Sequence, residues 1–299
     1  MMQKNEIKLA VIGGDLRQLV MARELASDGF EVALFGIDTY EGDYGEITRC
    51  TDLASAIKFA AMVILPIPFS QDNVRLNCPL TKEYIRLTDI FDCMCKGQIA
   101  AGGRLNETIY AMAKESGVRL FDYFDREELL ISNAIPTAEG AVAIAMSEVP
   151  YTIHSSHCMV LGFGRVGKIL SMTLRALGAE VTVAARKHED FAWIRAMDCT
   201  PVHIRDIGKA TALHDIIFNT VPDLLLGKNV LKEMDPHTLI IDLASKPGGV
   251  DMDYARECGI NVIWALSLPG KVAPVTAGRI IKESILNIMQ SEGVLENLC

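Results

Sequence analysis

Short apolar runs alternate with amphipathic stretches along the chain, and this order of elements occurs twice. Residues 8–38 contain an apolar run, a glycine-rich turn, a stretch of helical periodicity, a glycine and a β-branched run. Residues 157–187 repeat this order at an offset of 149 positions, so that Gly13 corresponds to Gly162 and Gly29 to Gly178. Each segment is typical of the opening β-α-β unit of a doubly wound sheet.

The repeat continues beyond these segments. Residues 62–68 correspond to residues 215–222, and each is an apolar run that ends at a proline. Strands and helices that alternate at this spacing form parallel sheets with right-handed crossovers. The sequence therefore predicts an α/β chain of two Rossmann-like, doubly wound parallel-sheet domains, with a site in the cleft between the carboxyl edges of the two sheets.

The domain limits follow from this division. We expect residues 1–135 plus about 276–299 to form the first domain, for substrate or partner, and residues 136–275 to form the cofactor-binding domain. An apolar segment, Thr137 to Met146, predicts a joining helix with Thr137 as its N-cap. A later helix, about Thr276 to Gln290, is expected to fold back onto the first domain.

Only the second copy has a complete GxGxxG turn, from Gly162 to Gly167. Its three glycines permit a tight turn, a close approach of the backbone to a pyrophosphate, and close packing of helix on strand. A glycine turn that serves helix packing alone is the alternative. The residues expected to bind a dinucleotide at this turn are Gly162, Gly164, Arg165, Val166 and Gly167.

The first copy has Asp15 and Gln18 in place of the second and third glycines. Because a carboxylate at that position repels pyrophosphate, we expect this domain to have lost the dinucleotide and to serve the substrate.

The second β-strand of the second copy ends at Arg186 and Lys187, with no acid before Glu189. A carboxylate there would bind the ribose 2′-hydroxyl of NAD, whereas an arginine accommodates a 2′-phosphate. The sequence therefore favours NADP(H), although a pair of solvated surface charges is the alternative. Further residues expected to line the cofactor pocket are Asn219, Thr220, Val221, Pro222, Ser245 and Leu268.

Composition removes several classes of function. The 299 residues include 38 acidic and 29 basic side chains, a net charge of −9, which is unfavourable for binding a nucleic-acid backbone. The eight cysteines form no CxxC pair and the six histidines are scattered, so we expect no metal site and no disulfide framework. No apolar run is long enough to span a bilayer and no signal peptide is evident, so we expect a cytoplasmic protein that binds no membrane.

Residues 238–251 resemble the corresponding strand and loop of D-2-hydroxyacid dehydrogenases, with Lys246 near the place of their carboxylate-binding arginine. That family needs a histidine acid/base further along, but this chain has no histidine beyond His237. Alanine dehydrogenases use a histidine of the first domain, and here none precedes His154. The missing base favours a hydride transfer that needs little from the protein, such as aromatisation of an activated ring.

Five motifs are spread in order over nearly the whole chain, at Ile12–Gln18, Asn133–Ala141, Val160–Gly167, Leu243–Gly249 and Leu268–Gly278. Together they resemble the family of dipicolinate synthase A-subunits. The resemblance implies oxidation of dihydrodipicolinate, or its hydroxylated tetrahydro precursor, to dipicolinate with NADP⁺. It also implies a flavoprotein-like partner, the B-subunit of dipicolinate synthase, a homo- or hetero-oligomer, and the mother-cell cytoplasm of a sporulating bacterium.

A dicarboxylate substrate calls for cations and hydrogen-bond donors. We expect Arg17 and Lys246 to bind its carboxylates, and Asn133 and Thr137 to hydrogen-bond it; a surface arginine, a solvated loop lysine and a mere helix cap are the alternatives. The sequence identifies no catalytic acid or base. Two other functions stay open: an NADPH-binding protein with a regulatory or scaffold role, and an enzyme related to 2-hydroxyacid dehydrogenases.

Overall fold

The computed structural model describes residues 4–58 and 60–295, which divide into two compact units. Unit 1 takes the described residues up to Ser132 and those from Ala273 onward, and unit 2 takes Asn133–Val272. The sequence predicts the boundaries between the domains at 135/136 and 275/276, each three residues after the boundary between the units.

Unit 1 begins with alternating strands and helices. Its central strands are almost wholly buried because helices cover both faces of the sheet, as in other parallel sheets. The elements in chain order are β1 (Lys8–Ile12), α1 (Leu16–Ser27), β2 (Glu31–Phe35), β3 (Thr48–Arg49), α2 (Leu53–Ile57), β4 (Met62–Ile64), α3 (Leu87–Cys93), β5 (Ile99–Gly102), α4 (Glu107–Glu115) and β6 (Arg119–Asp122). The long helix α5 (Glu127–Glu148) follows; its residues up to Ser132 belong to unit 1 and the others to unit 2.

Unit 2 repeats this arrangement after the long helix α5. Strand β10 shows why the strands read as unbroken apolar runs, since all four of its residues are buried. The elements in chain order are β7 (His157–Leu161), α6 (Arg165–Ala176), β8 (Glu180–Ala185), α7 (His188–Ala196), β9 (Thr200–His203), α8 (Ile207–Ala210), β10 (Ile216–Asn219), α9 (Lys228–Leu231), β11 (Leu239–Asp242), α10 (Met252–Glu257), β12 (Asn261–Trp264) and α11 (Leu268–Val272).

The two sheets have the same strand order. Over the described residues each has six strands, in the orders β3-β2-β1-β4-β5-β6 and β9-β8-β7-β10-β11-β12. Every paired strand in both sheets is parallel. This is the doubly wound order, in which the chain reverses direction between the first and fourth strands and leaves a crevice at their carboxyl ends. The predicted fold class, two Rossmann-like domains, is confirmed.

The helix expected to begin at Thr137 begins ten residues earlier, at Glu127. Thr137 is therefore not an N-cap: it lies inside α5, where its hydroxyl donates to the carbonyl of Asn133 at 2.7 Å, one turn back. Pro136 lies inside the same helix. The prediction was wrong because a threonine can return its hydroxyl to the preceding turn as readily as it can cap a helix.

Helix α5 is also long and apolar enough, by length and composition alone, to cross a membrane. Its C-terminal half supplies core residues to unit 2, with Ala138, Ala141 and Ala145 fully buried. A core helix of this kind is weak evidence for a membrane span.

The helix α12 (Pro274–Ser291) belongs to unit 1, where it packs against α1. Its residues Ile281, Ile285 and Met289 are buried in the same core cluster as Leu19 and Leu25. Two ion pairs join the helices at the rim, Arg279 Nε to Glu24 at 2.9 Å and Lys282 Nζ to Asp28 at 3.1 Å.

Candidate functional site

The turn from β7 into α6 is built so that two of its three glycines are required by packing. Gly162 has φ +100°, and a Cβ there would lie 2.5 Å from Thr220 Oγ1. A Cβ on Gly167 would lie 2.1 Å from the carbonyl oxygen of Gly162. Helix and strand are therefore in backbone contact, as close packing in a dinucleotide-binding turn requires.

Gly164 stands at the N-cap of α6 and has a different reason to be glycine. Its φ is −80°, which any residue can adopt, and it offers no side chain to cap the helix. No described atom lies within 4 Å of the position that a Cβ would take. The backbone at Gly164 therefore faces open space, and Arg165 and Val166 form the first turn of α6 behind it.

This turn fits the pyrophosphate of a dinucleotide. The uncapped first turn of α6 carries the positive end of the helix dipole and its backbone N–H groups, which bind phosphate oxygens. The absence of a Cβ at Gly164 leaves room for the phosphates at that end.

Arg186 and Lys187 follow β8 directly, and both are exposed. Lys187 Nζ pairs with Glu189 at 3.1 Å. Arg186 makes no ion pair within the described part of the chain, so its guanidinium is available to bind an anion.

A buried polar network joins the ends of β10 and β11. Asn219 Nδ2 donates to Asp242 Oδ1 at 2.8 Å and to the carbonyl of Val221 at 2.9 Å. The other carboxylate oxygen of Asp242 accepts the N–H of Gly249 at 2.9 Å, and Oδ1 also accepts that of Ala244 at 3.0 Å. These bonds fix the two loops relative to each other at the carboxyl edge of the sheet.

Sequence reasoning missed Asp242, although it selected its partner Asn219. Asp242 is only 1% exposed and closes an otherwise apolar strand. A carboxylate at the end of a buried strand, at the edge where parallel-sheet proteins bind ligands, is a signal that was present in the sequence.

The other predicted cofactor residues lie around this network. Thr220 is half-buried, and its hydroxyl donates to the carbonyl of Leu161 at 2.8 Å. Val221 is half-buried, and Pro222 and Ser245 are exposed on the two loops. Leu268, the first residue of α11, lies in the core of unit 2 and packs beside Gly140 of α5.

In unit 1 the corresponding turn is closed by its own side chains. The backbone N–H of Asp15 donates to Gln18 Oε1 at 3.1 Å, and the two residues form a capping box at the start of α1. Gln18 is fully buried, and its Nε2 lies 3.4 Å from the hydroxyl of Tyr123. The positions of the second and third glycines are thus occupied by a cap.

Residues 69–86, which we call the covering segment, lie over the carboxyl ends of β1 and β2. The N–H of Gly14 donates to the carbonyl of Asn77 at 3.1 Å, and a Cβ on Gly13 would lie 2.1 Å from Cys78 Sγ. After β2, the N–H of Asp38 donates to the carbonyl of Leu80 at 2.9 Å. The covering segment thus contacts the glycine turn of unit 1 and the end of β2, the two places where this fold holds a dinucleotide.

Arg17 is held rather than free. Its guanidinium pairs with the carboxylate of Asp15, with Nη2 to Oδ2 at 2.8 Å, and Nη2 also donates to the carbonyl of Ile67. Its side chain is 13% exposed. Among the described residues Nη1 has no partner, so one donor edge is left for a ligand.

Two acidic groups near this turn remain protonated at neutral pH. Burial raises the pKa of Cys78 to about 11. Burial likewise raises the pKa of Tyr123, whose hydroxyl donates to the carbonyl of Leu65 at 2.9 Å. Neither group therefore supplies a base.

The remaining predicted substrate residues are separated in the chain. Lys246 is exposed on the loop after β11. Asn133 lies in α5, and its Oδ1 is buried without a hydrogen-bond partner among the described residues. In residues 4–58 and 60–295 no group of three His, Cys, Asp or Glu side chains could hold a metal ion.

Comparison with known proteins gives consistent matches. The family model of the N-terminal domain of the dipicolinate synthase A-subunit matches residues 8–124. The dipicolinate synthase A-subunit of Bacillus subtilis (strain 168) is 34% identical over 284 residues, which are 95% of this chain and 96% of that protein.

Solved structures agree. The crystal structure of the dipicolinate synthase A-subunit from Bacillus halodurans has a TM-score of 0.88 at 32% identity, over 96% of this chain and 99% of that one. The corresponding Bacillus subtilis crystal structure has a TM-score of 0.87 at 35% identity, over 98% and 99%. D-lactate dehydrogenase from Escherichia coli, at 14% identity, TM-score 0.64 and coverage of 96% and 97%, shares the fold alone. By its identity to the Bacillus subtilis protein over almost its whole length, the chain belongs to the family of dipicolinate synthase A-subunits.

Proposed function

We propose that this protein is an oxidoreductase that converts dihydrodipicolinate, or its hydroxylated tetrahydro precursor, to dipicolinate with NADP⁺. Membership of the dipicolinate synthase A-subunit family, together with a dehydrogenase-like fold, supports an oxidoreductase-type role. The observation that carries the cofactor part is the open N-terminus of α6 at Gly164, where neither backbone conformation nor packing requires a glycine. A pyrophosphate in contact with that backbone would require one.

NADP rather than NAD is supported by the side chains after β8. Arg186 is exposed and without an ion pair in the described part of the chain, and no carboxylate occupies its position. A guanidinium binds a phosphate monoester through two parallel N–H bonds, which a ribose hydroxyl does not match.

The proposed reaction balances without a dedicated base. NADP⁺, held by the turn at Gly164 and by Arg186, would supply the acceptor for the hydride of a ring carbon of the dihydropyridine. A proton leaves the neighbouring ring carbon to solvent, and the hydroxylated precursor first loses water. Because the ring becomes a pyridine, aromaticity supplies the driving force. The buried carboxylate of Asp242 accepts hydrogen bonds at both oxygens and positions the two loops.

Each unit carries donors that suit a dicarboxylate substrate. In unit 1, Nη1 of Arg17 is the donor edge that Asp15 and Ile67 leave for a carboxylate. In unit 2, the exposed ammonium of Lys246 is a second cation that suits a carboxylate. Asn133 Oδ1, a buried acceptor without a partner among the described residues, would accept a substrate hydroxyl. The hydroxyl of Thr137 donates to the backbone carbonyl of Asn133, which leaves its oxygen as the acceptor that it would offer to substrate.

The Bacillus subtilis relative is one named subunit of a synthase, which supports a second chain, the B-subunit, as partner in a hetero-oligomer. We propose the mother-cell cytoplasm of a sporulating bacterium as the location of the complex, as membership of this family implies.

Two measurements test this function. The first is a titration with NADP⁺ and NADPH; the second follows NADPH absorbance when freshly generated dihydrodipicolinate is added to the protein, alone and with the B-subunit. We expect NADP(H) binding and NADPH formation. Binding without turnover in either mixture would favour a regulatory or scaffold role, and turnover of a simple 2-hydroxy acid would favour a 2-hydroxyacid dehydrogenase.

A further inference from the structure

The ends of β8 and β9 bring basic and aromatic side chains to one corner of unit 2. Ala185, the last residue of β8, is paired in register with His203, the last residue of β9. Because neighbouring strands lie about 5 Å apart, the residues that follow these two emerge side by side. Arg186 follows one strand and Arg205 lies two residues beyond the end of the other.

A chain of two ring contacts orients His203 at this corner. The rings of His188 and Phe191 meet edge to face at 5.8 Å and 85°, and those of Phe191 and His203 at 6.1 Å and 89°. Phe191 is partly buried against the core of unit 2. Such edge-to-face contacts favour one orientation of each ring, so the imidazole of His203 is oriented by packing.

The oriented imidazole in turn holds Arg205. Nδ1 of His203 accepts the backbone N–H of Arg205 at 3.1 Å and caps the short turn Ile204–Asp206. This bond defines where the main chain of Arg205 lies relative to the end of β9.

The basic side chains at this corner differ in whether they form an ion pair. Lys187 is paired with Glu189, whereas Arg186 and Arg205 are both exposed and make no ion pair with any described residue. Although the chain has 38 acidic residues, these two guanidinium groups keep their donors for another anion. A phosphate monoester, with its three terminal oxygens, is the group that two such forks can bind together.

We propose that Arg205 binds the 2′-phosphate of the cofactor's adenosine together with Arg186, and that His203 is its positioning residue. This inference rests on the proposed use of NADP. On this inference the preference for NADP over NAD depends on residues that follow both β8 and β9, and not on the residue after β8 alone.

The test uses fragments of the cofactor that differ only in the phosphate in question. The full chain is titrated by calorimetry with adenosine 2′,5′-bisphosphate and with 5′-AMP. Loss of one charge-assisted contact in Arg205→Gln should weaken binding of the bisphosphate about tenfold and leave that of 5′-AMP within about twofold. Arg256→Gln, which changes an exposed arginine paired with Asp253 on α10, is the matched control and should change neither.

Two substitutions of His203 test positioning. Asn retains an acceptor for the N–H of Arg205, whereas Ala removes it. We expect His203→Ala to weaken binding of the bisphosphate about fivefold and His203→Asn to restore it to within about twofold, with 5′-AMP unchanged in both. A general loss of structure would lower both affinities together.

The outcomes separate the two proposals. A wild-type preference for the bisphosphate that survives Arg205→Gln overturns the role of Arg205 and leaves NADP as the cofactor. Equal losses for both nucleotides in Arg205→Gln overturn it as well. If the wild-type protein binds neither nucleotide, this result overturns both the cofactor proposal and this inference.

Discussion

Asp15 and Gln18 cap each other at the start of α1, the backbone N–H of Asp15 donating to Gln18 Oε1 at 3.1 Å. In unit 2 the same two positions are Gly164 and Gly167. One pair of positions therefore satisfies its helix N-terminus internally, and the other leaves it open to a ligand.

This contrast predicts that restoring a glycine in unit 1 does not restore a nucleotide site. Asp15→Gly removes the cap, but the N–H of Gly14 remains bonded to Asn77 and the covering segment remains in place. Calorimetric titration with NADP⁺ should give one dinucleotide per chain in both proteins. Two per chain in the variant would mean that the carboxylate, and not the covering segment, closes the site.

The two glycines of α6 should differ in what they affect. Gly164→Ala places its methyl group in open space, so we expect stability to be kept and NADP⁺ affinity to fall about tenfold or more. Gly167→Ala forces a Cβ to within 2.1 Å of the carbonyl of Gly162, and we expect it to lower the free energy of unfolding by about 1–3 kcal/mol. Urea unfolding and calorimetric titration of each variant make the comparison. A Gly164→Ala variant with unchanged affinity would contradict a pyrophosphate at this turn.

Arg186→Asp should reverse cofactor preference, because a carboxylate repels a 2′-phosphate and accepts a ribose hydroxyl. We expect NADP⁺ binding to weaken about a hundredfold, or about 2.7 kcal/mol, and NAD⁺ binding to change little. Titration of wild type and variant with both cofactors measures this. Equal effects on the two cofactors would show that Arg186 does not contact the 2′-phosphate.

Asp242→Asn should destabilise unit 2. All the hydrogen-bond partners of the carboxylate are donors. In the variant the amide NH₂ would therefore face at least one of these N–H groups, which would be left without an acceptor. We expect a loss of about 2–3 kcal/mol in the free energy of unfolding, measured in urea. Asp253→Asn is the control, because that side chain is 90% exposed and its loss should stay within about 0.5 kcal/mol. Similar values for the two variants would refute the role of Asp242 as the junction of the loops.

His214 should make the protein less stable in mild acid. Burial, with a smaller contribution from His157, lowers the pKa of His214, while the Ala210 carbonyl and Asp215 oppose this shift. Below about pH 6.5 the unfolded chain therefore binds a proton that the folded protein does not, and the free energy of unfolding falls as the pH drops. Urea unfolding between about pH 5 and 8 measures the slope.

His214→Asn keeps a donor toward Ala210 and removes the titration, so its acid-side slope should be shallower than that of wild type. His237→Asn changes an exposed histidine and should keep the wild-type slope. Identical slopes in all three proteins would exclude His214 as the source.

Local signals predicted the fold, and long-range contacts explain what they missed. The glycine turns and apolar runs specify each β-α-β unit within about thirty residues, so the strand order could be inferred from the repeat. The covering segment could not, because it is fixed by hydrogen bonds such as that of Gly14 to Asn77, far apart in the chain and without periodicity. The engagement of Arg17 by Ile67 is of the same kind.

The error at Thr137 has a local cause. Threonine followed by a glutamate two residues later suggests a helix start, yet the preceding residues from Glu127 are already helical. Only the hydroxyl's bond to Asn133 distinguishes an interior threonine from a cap, and this bond is not visible in sequence.

The packing of α12 on α1 has a consequence for the order in which the protein is made. Unit 2 is a single stretch of chain and can fold as soon as residue 272 has left the ribosome. Unit 1 is started first, but Ile281, Ile285 and Met289 reach its core only after all of unit 2 has been synthesised. Until then the side of α1 that packs on α12, which includes Val20 opposite Gly278, lacks its partner. The half of the protein that is translated first is therefore the half that completes its folding last.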